Sequence, residues 1–171
     1  MNWDQIPPQE KFAFQKVLPD DWKKYREIRL SGLESDPQAF GSTYEKESKE
    51  DESFWKNRLS ESDKSFYAIE AGSIFVATAG SRKTEEGRNR MIFAVYTLPT
   101  FRGKHLSQEL IQQIINDAKK EKAVKVSLTV NILQNEAVNL YKKMGFTVIS
   151  KEKDIQMGGS NVEAYYMEKK L

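Results

Sequence analysis

The stretch Val95-Tyr96-Thr97-Leu98-Pro99-Thr100-Phe101-Arg102-Gly103-Lys104-His105-Leu106-Ser107 decides the fold, because it passes from an apolar, β-rich run through proline and glycine into an amphipathic segment. Beyond it Leu106, Leu110, Ile111, Ile114 and Ala118 recur at steps of three to four, which predicts a helix with one buried face. Val126, Leu128 and Val130 then alternate with Ser127 and Thr129, the period of a strand. Strand, helix, strand in that order is a crossover, expected to be right-handed. The N-terminus of the helix offers unpaired backbone N–H groups and partial positive charge, and Arg102 and Lys104 stand beside it. That loop suits a phosphate or pyrophosphate. A glycine turn carrying two solvated cations accounts for the same spacing equally well.

Working outward, residues 66–70, 74–81 and 91–98 are three β-rich runs separated by Ala71-Gly72-Ser73 and by the polar residues 82–89, the pattern of an antiparallel meander. Further upstream, Phe12, Phe14 and Val17 suggest a first strand ending at Pro19. Asp20 or Asp21 is placed to cap a helix carrying Trp22, Tyr25, Ile28, Arg29 and Leu33, with Leu18 as a hydrophobic staple. Residues 36–41 break that helix, and the charged residues 45–61, with Phe54, Trp55 and Leu59 at helical spacing, predict a second, shallowly buried one. Downstream, Ala137, Leu140, Tyr141 and Met144 face inward from a helix closed by Gly145. The end reads as two strands, 147–156 and 162–170, joined through Gly158-Gly159. The expected class is α/β (α+β): a mixed, mainly antiparallel central sheet of about seven strands flanked by four helices, in a single domain spanning residues 1–171.

Composition narrows the chemistry. The 171 residues include Lys+Arg 27 against Asp+Glu 25, a net charge of +2, which gives no reason to expect nucleic acid or an anionic membrane as partner. The same balance argues against reading the basic helix start as an RNA-contacting surface. Cys 0 removes thiolate nucleophiles and thiolate metal sites, and His 1 removes imidazole clusters, so no metal is expected and a Ser-His-Asp triad has only His105 to build on. The apolar runs are too short to span a bilayer, and residues 1–10 lack the apolar core of a secretory signal. The expected setting is cytoplasmic.

Phe101-Arg102-Gly103-Lys104-His105-Leu106-Ser107, followed about thirty residues later by Ala137-Val138-Asn139-Leu140-Tyr141-Lys142-Lys143-Met144-Gly145-Phe146, resembles the acetyl-CoA motifs of the GCN5-related N-acetyltransferase (GNAT) superfamily. Asp36-Pro37-Gln38-Ala39-Phe40-Gly41-Ser42-Thr43 resembles a segment frequent in its bacterial members. The resemblance implies a GNAT-like acyl-CoA N-acyltransferase fold, acetyl-CoA as co-substrate, direct transfer to an amine of a small molecule or protein, and a monomer or homodimer. The family's phosphate loop runs R/Q-x-x-G-x-G/A. Arg102 matches it, while His105 and Ser107 occupy the two small-residue positions. A side chain at His105 either crowds the phosphates or requires a left-handed backbone.

By resemblance, the cofactor is held by backbone groups of Val95, Tyr96 and Thr97, by the loop Arg102, Gly103, Lys104, His105, Leu106 and Ser107, and by Gln134 with its neighbour Asn135, where the family often has Asn. Tyr141 is the implied general acid for the departing thiolate. Residues 91–98 contain no Asp or Glu, so Glu45 is the candidate for the amine's proton, with Glu47 close by and Tyr96 able to orient a water. The rival reading is a non-catalytic acyl-CoA-binding regulatory module.

Overall fold

In the computed structural model, which describes residues 11–171, the alternating runs become seven strands of one sheet: β1 (Ala13–Lys16), β2 (Lys64–Ala71), β3 (Ile74–Lys83), β4 (Arg90–Thr97), β5 (Lys125–Asn131), β6 (Thr147–Met157) and β7 (Ser160–Lys170). Their order is β1-β2-β3-β4-β5-β7-β6. β4 and β5 pair in parallel, and every other neighbouring pair is antiparallel. Five helices accompany the sheet: α1 (Trp22–Ser35), α2 (Tyr44–Glu47), α3 (Glu52–Ser60), α4 (Leu106–Lys120) and α5 (Asn135–Lys143). The reading of residues 1–10 falls outside the described residues.

Consecutive strand residues point to opposite faces, so the unbroken buried runs from Ser65 to Ile69 and from Phe75 to Ser81 show that the sheet centre is covered on both sides. α1 and α4 both pack against it. The apolar stripe of α4 supplies Leu110, Ile111, Ile114, Ile115 and Ala118 to the core, as the spacing predicts. Inside α1, Gly32 is where the Phe40 and Tyr96 rings come close to the helix: a Cβ there would lie 2.8 Å from Phe40 Cζ and 3.2 Å from Tyr96 Cγ.

Three expectations are corrected. The single helix over 45–61 is two, because Thr43 accepts from the Lys46 amide (3.3 Å) and Asp51 from the Phe54 amide (2.9 Å), so each starts its own helix. Leu18 is 55% exposed and does not join the core. Asp21 stands at the N-cap of α1 as expected but turns its carboxylate back to accept from the Leu18 amide (2.9 Å) rather than from an amide of the helix. The crossover helix begins at Leu106 rather than near Gly103.

The feature that opens a site is the separation of β4 from β5. Their parallel ladder has only Arg90↔Val126, Met91↔Ser127 and Ile92↔Leu128. On its other side β4 stays paired to β3, but the register slips between Gly80↔Phe93 and Thr78↔Tyr96. At this bulge Ala94 takes φ 52°, left-handed for a residue with a Cβ. Past it, β4 turns away and leaves one edge without a strand partner.

Candidate active site

A cavity of about 770 Å³ occupies the gap, bounded by the end of β4, the loop into α4 and the start of α5. Val95, Tyr96, Thr97, Arg102, Gly103, His105, Leu106, Ser107, Gln134, Asn135 and Tyr141 all line it. Two of the sequence candidates do not. Lys104 is exposed, with its ammonium 6.0 Å from the Phe12 ring. Glu45 borders a separate depression with Thr43, Lys46, Lys49 and Glu50, and its 85% exposed side chain pairs with Lys49 at 3.2 Å.

The loop into α4 is shaped for an anion. Gly103 (φ 77°) and His105 (φ 61°, ψ 16°) are both left-handed, and His105 is the N-cap residue without a capping side-chain bond. The first helical bond runs from the Glu109 amide to the His105 carbonyl (3.1 Å), so the amides of Leu106, Ser107 and Gln108 precede any intrahelical acceptor. Thr97 Oγ1 and Ser107 Oγ, 2.8 Å apart, tie the last residue of β4 to the first turn of α4. Arg102 is already engaged: Nε donates to the Thr97 carbonyl (3.2 Å), and Nη2 to Asp36 Oδ2 (2.6 Å).

Tyr141 stands on the buried face of α5, its ring 5.9 Å from that of Phe146. Burial pushes its phenol well above the usual tyrosine range, so it keeps its proton. Among the described residues its hydroxyl has no hydrogen-bond partner. Gly145, at φ 88°, ends this helix in the left-handed conformation the sequence suggests.

The structure adds residues that sequence reasoning left without a role. Asp36 lines the cavity. Ser35 Oγ donates to Asp36 Oδ2 (2.9 Å) and lies 2.9 Å from the Tyr96 hydroxyl, with Ser31 Oγ 3.4 Å from the same hydroxyl. Asp36 and Arg102 are 66 residues apart, a separation that carries no spacing signal. Just beyond, the Gly158 amide donates to the Phe40 carbonyl (2.8 Å), fastening the β6–β7 turn to the 36–43 segment. A Cβ on Gly158, which has φ 59°, would stand 2.8 Å from the Pro37 carbonyl carbon.

Glu47 is committed elsewhere. It is 2% exposed and accepts from Arg29 Nε (2.9 Å) and Nη2 (2.7 Å), and from Arg58 Nη1 (3.5 Å). Burial alone would raise its carboxyl, but the Arg29 hydrogen bonds and the charges of Arg29 and Arg58 outweigh it and hold the pKa below the usual value. Among the described residues no group of three or more His, Asp or Glu is arranged to hold a metal, and no helix is long and apolar enough to cross a membrane.

The Acetyltransferase (GNAT) family model matches residues 22–146. The chain is 28% identical over 95 residues to N-acetyltransferase 8 of Rattus norvegicus, covering 53% of this chain and 43% of that protein. It is 27% identical over 97 residues to a probable N-acetyltransferase family 8 member 5 of Mus musculus, covering 54% and 43%. The matches thus span less than half the length of these curated relatives. In fold it is similar to Arabidopsis thaliana NAA60, solved with acetyl-CoA, at a TM-score of 0.75 and 15% identity over 94% of this chain and 99% of that one.

Proposed function

Because the chain belongs to the acetyltransferase (GNAT) family, we propose that it is an acetyl-CoA-dependent N-acetyltransferase that moves an acetyl group directly to an amine of a small molecule or protein. The observation that carries this reading is one continuous cavity, joining free α4 amides and the unpaired β4 edge to the Tyr141 hydroxyl. At about 770 Å³ it has the size of a cofactor site.

The residues fit acetyl-CoA. Amides of Leu106, Ser107 and Gln108 would hold its phosphates with the α4 dipole, backbone groups of residues 95–97 its pantetheine amides, and Gln134 and Asn135 would border the arm. When bound, it supplies an activated thioester acyl group. A backbone N–H of the 95–97 segment polarises the carbonyl under attack. Tyr141 holds a proton at Oη in the same cavity, available to a departing thiolate. A thiol has a pKa of about 8.5, so a neutral phenol needs only to stabilise or protonate a leaving group that is already good.

The attacking amine carries the larger demand. A primary ammonium of pKa about 10.4 must lose a proton, which costs roughly 4 to 5 kcal/mol at pH 7 without help. β4 presents no carboxylate for this, and Glu45 sits outside the cavity. We include in the proposal a cytoplasmic setting and a monomeric or homodimeric state, read by fractionation and by light scattering.

The test is thiol release from acetyl-CoA across a panel of amines. Release that depends on the amine supports the reading. Tight CoA binding with no release for any amine supports a non-catalytic acyl-CoA-binding module instead.

A further inference from the structure

We propose that Asp36 is the terminal proton acceptor for the attacking amine, reached through Ser35 and Tyr96. The inference rests on the acetyltransferase reading and supplies the base that reading lacks. The hydroxyl of Tyr96 lies 2.9 Å from Ser35 Oγ, and Ser35 Oγ donates to Asp36 Oδ2 at 2.9 Å. Tyr96 and Asp36 line the same cavity as Tyr141. One end of the chain is therefore a buried phenol at 5% exposure, and the other a carboxylate with 34% of its side chain open to water. That gradient suits a relay that takes a proton from an enclosed site and returns it to solvent.

The step balances without a further reactant. An ammonium N–H bond breaks and its proton passes to the Tyr96 oxygen. The phenol's own proton moves to Ser35 Oγ, and the serine proton moves to Asp36 Oδ2. The ammonium becomes a neutral amine with a free electron pair, the carboxylate becomes a carboxylic acid, and both hydroxyls are regenerated with their hydrogens turned. Asp36 then loses the proton to water. The charged and titratable groups facing Asp36 are Arg102 at 2.6 Å, from the loop before α4, and, around the shared cavity, Tyr96, Tyr141, His105 and Glu136. Arg102 Nη2, 2.6 Å from Asp36 Oδ2, keeps the carboxylate oriented. Asp36 acts through Ser35 and is thus a positioning residue, with Tyr96 the group that meets the amine.

The test has two arms. In the first, full-length protein without ligand is labelled at tyrosine Cζ, and the Tyr96 signal, assigned with Tyr96→Phe, is followed by NMR from pH 7 to pH 3. A transition tracking Asp36 protonation, abolished by Asp36→Asn and by Ser35→Ala, is expected. A Tyr96 signal indifferent to both substitutions overturns the relay. In the second arm, kcat/KM for a turned-over amine is measured from pH 6.5 to pH 10. Asp36→Asn and Ser35→Ala should lower it about 10- to 100-fold at pH 7, with the deficit shrinking as the amine deprotonates in solution, while CoA affinity by calorimetry stays within a few fold. A deficit constant across pH, or none, overturns the relay. No turnover by the unsubstituted protein, with the Tyr96 coupling present, overturns the acetyltransferase reading instead.

Discussion

Tyr141 and Glu47 are both buried polar residues, and their surroundings give them opposite jobs. The Tyr141 hydroxyl has no partner among the described residues and faces a cavity, so it is free to act. Tyr141→Phe keeps the ring and its packing on Phe146, so we expect kcat to fall about 100-fold or more while CoA affinity stays within a few fold, read by steady-state kinetics and calorimetry. Glu47 instead neutralises Arg29, which is 5% exposed. Glu47→Gln leaves that guanidinium buried without its counter-charge and should cost about 3–5 kcal/mol in urea unfolding at pH 7. The pH dependence has a definite sign: the folded carboxyl lies below its usual value, so the stabilisation is present at neutral pH and is lost as pH falls through the folded pKa. The gap between the two proteins should therefore shrink below about pH 4, and a gap constant from pH 7 to pH 3 contradicts the assignment.

At the scale of elements, the start of α4 carries the sharpest compromise. His105 holds a left-handed conformation that costs an ordinary residue about 1–2 kcal/mol. Glycine would relieve this but forfeits roughly 0.5–1 kcal/mol of chain entropy. His105→Gly is accordingly predicted to gain no more than about 1.5 kcal/mol in urea unfolding, whereas β-branched His105→Val should lose stability. The position of this turn was legible from the sequence, since Gly103 and the stripe from Leu106 to Ala118 bracket it. The break inside 45–61 was not legible from periodicity, because α2 stops at Glu47 with Ser48 as its C-cap and Asp51 starts α3 through a single side-chain bond. The acceptor side was the least legible. A carboxylate shortly after Thr43 made Glu45 plausible, yet its place depends on how a four-residue helix is docked, and it borders a separate depression instead of the cavity. Asp36 was in view as part of a motif, but its neighbours Tyr96 and Arg102 arrive from distant parts of the chain.

For the whole molecule, the central device is a sheet closed at one end and open at the other. β4 and β5 are joined only through Arg90, Met91 and Ile92 on the β4 side, and the cavity exists because they part. A ligand binding only the folded chain at 100 times its dissociation constant should add about 2.7 kcal/mol of stability. CoA and acetyl-CoA should both do so in thermal unfolding, and neither will if the gap is merely a surface cleft. Arg102, from the loop before α4, and Asp36, from the end of α1, both line this cleft and meet there in one ion pair. The most direct test of the central claim is mass spectrometry of a reaction containing the protein, acetyl-CoA and a panel of amines, with free CoA thiol counted alongside. The account predicts an acetylated amine formed in equal amount to the released thiol and suppressed by Tyr141→Phe. Bound CoA with no acetylated amine from any acceptor would contradict it.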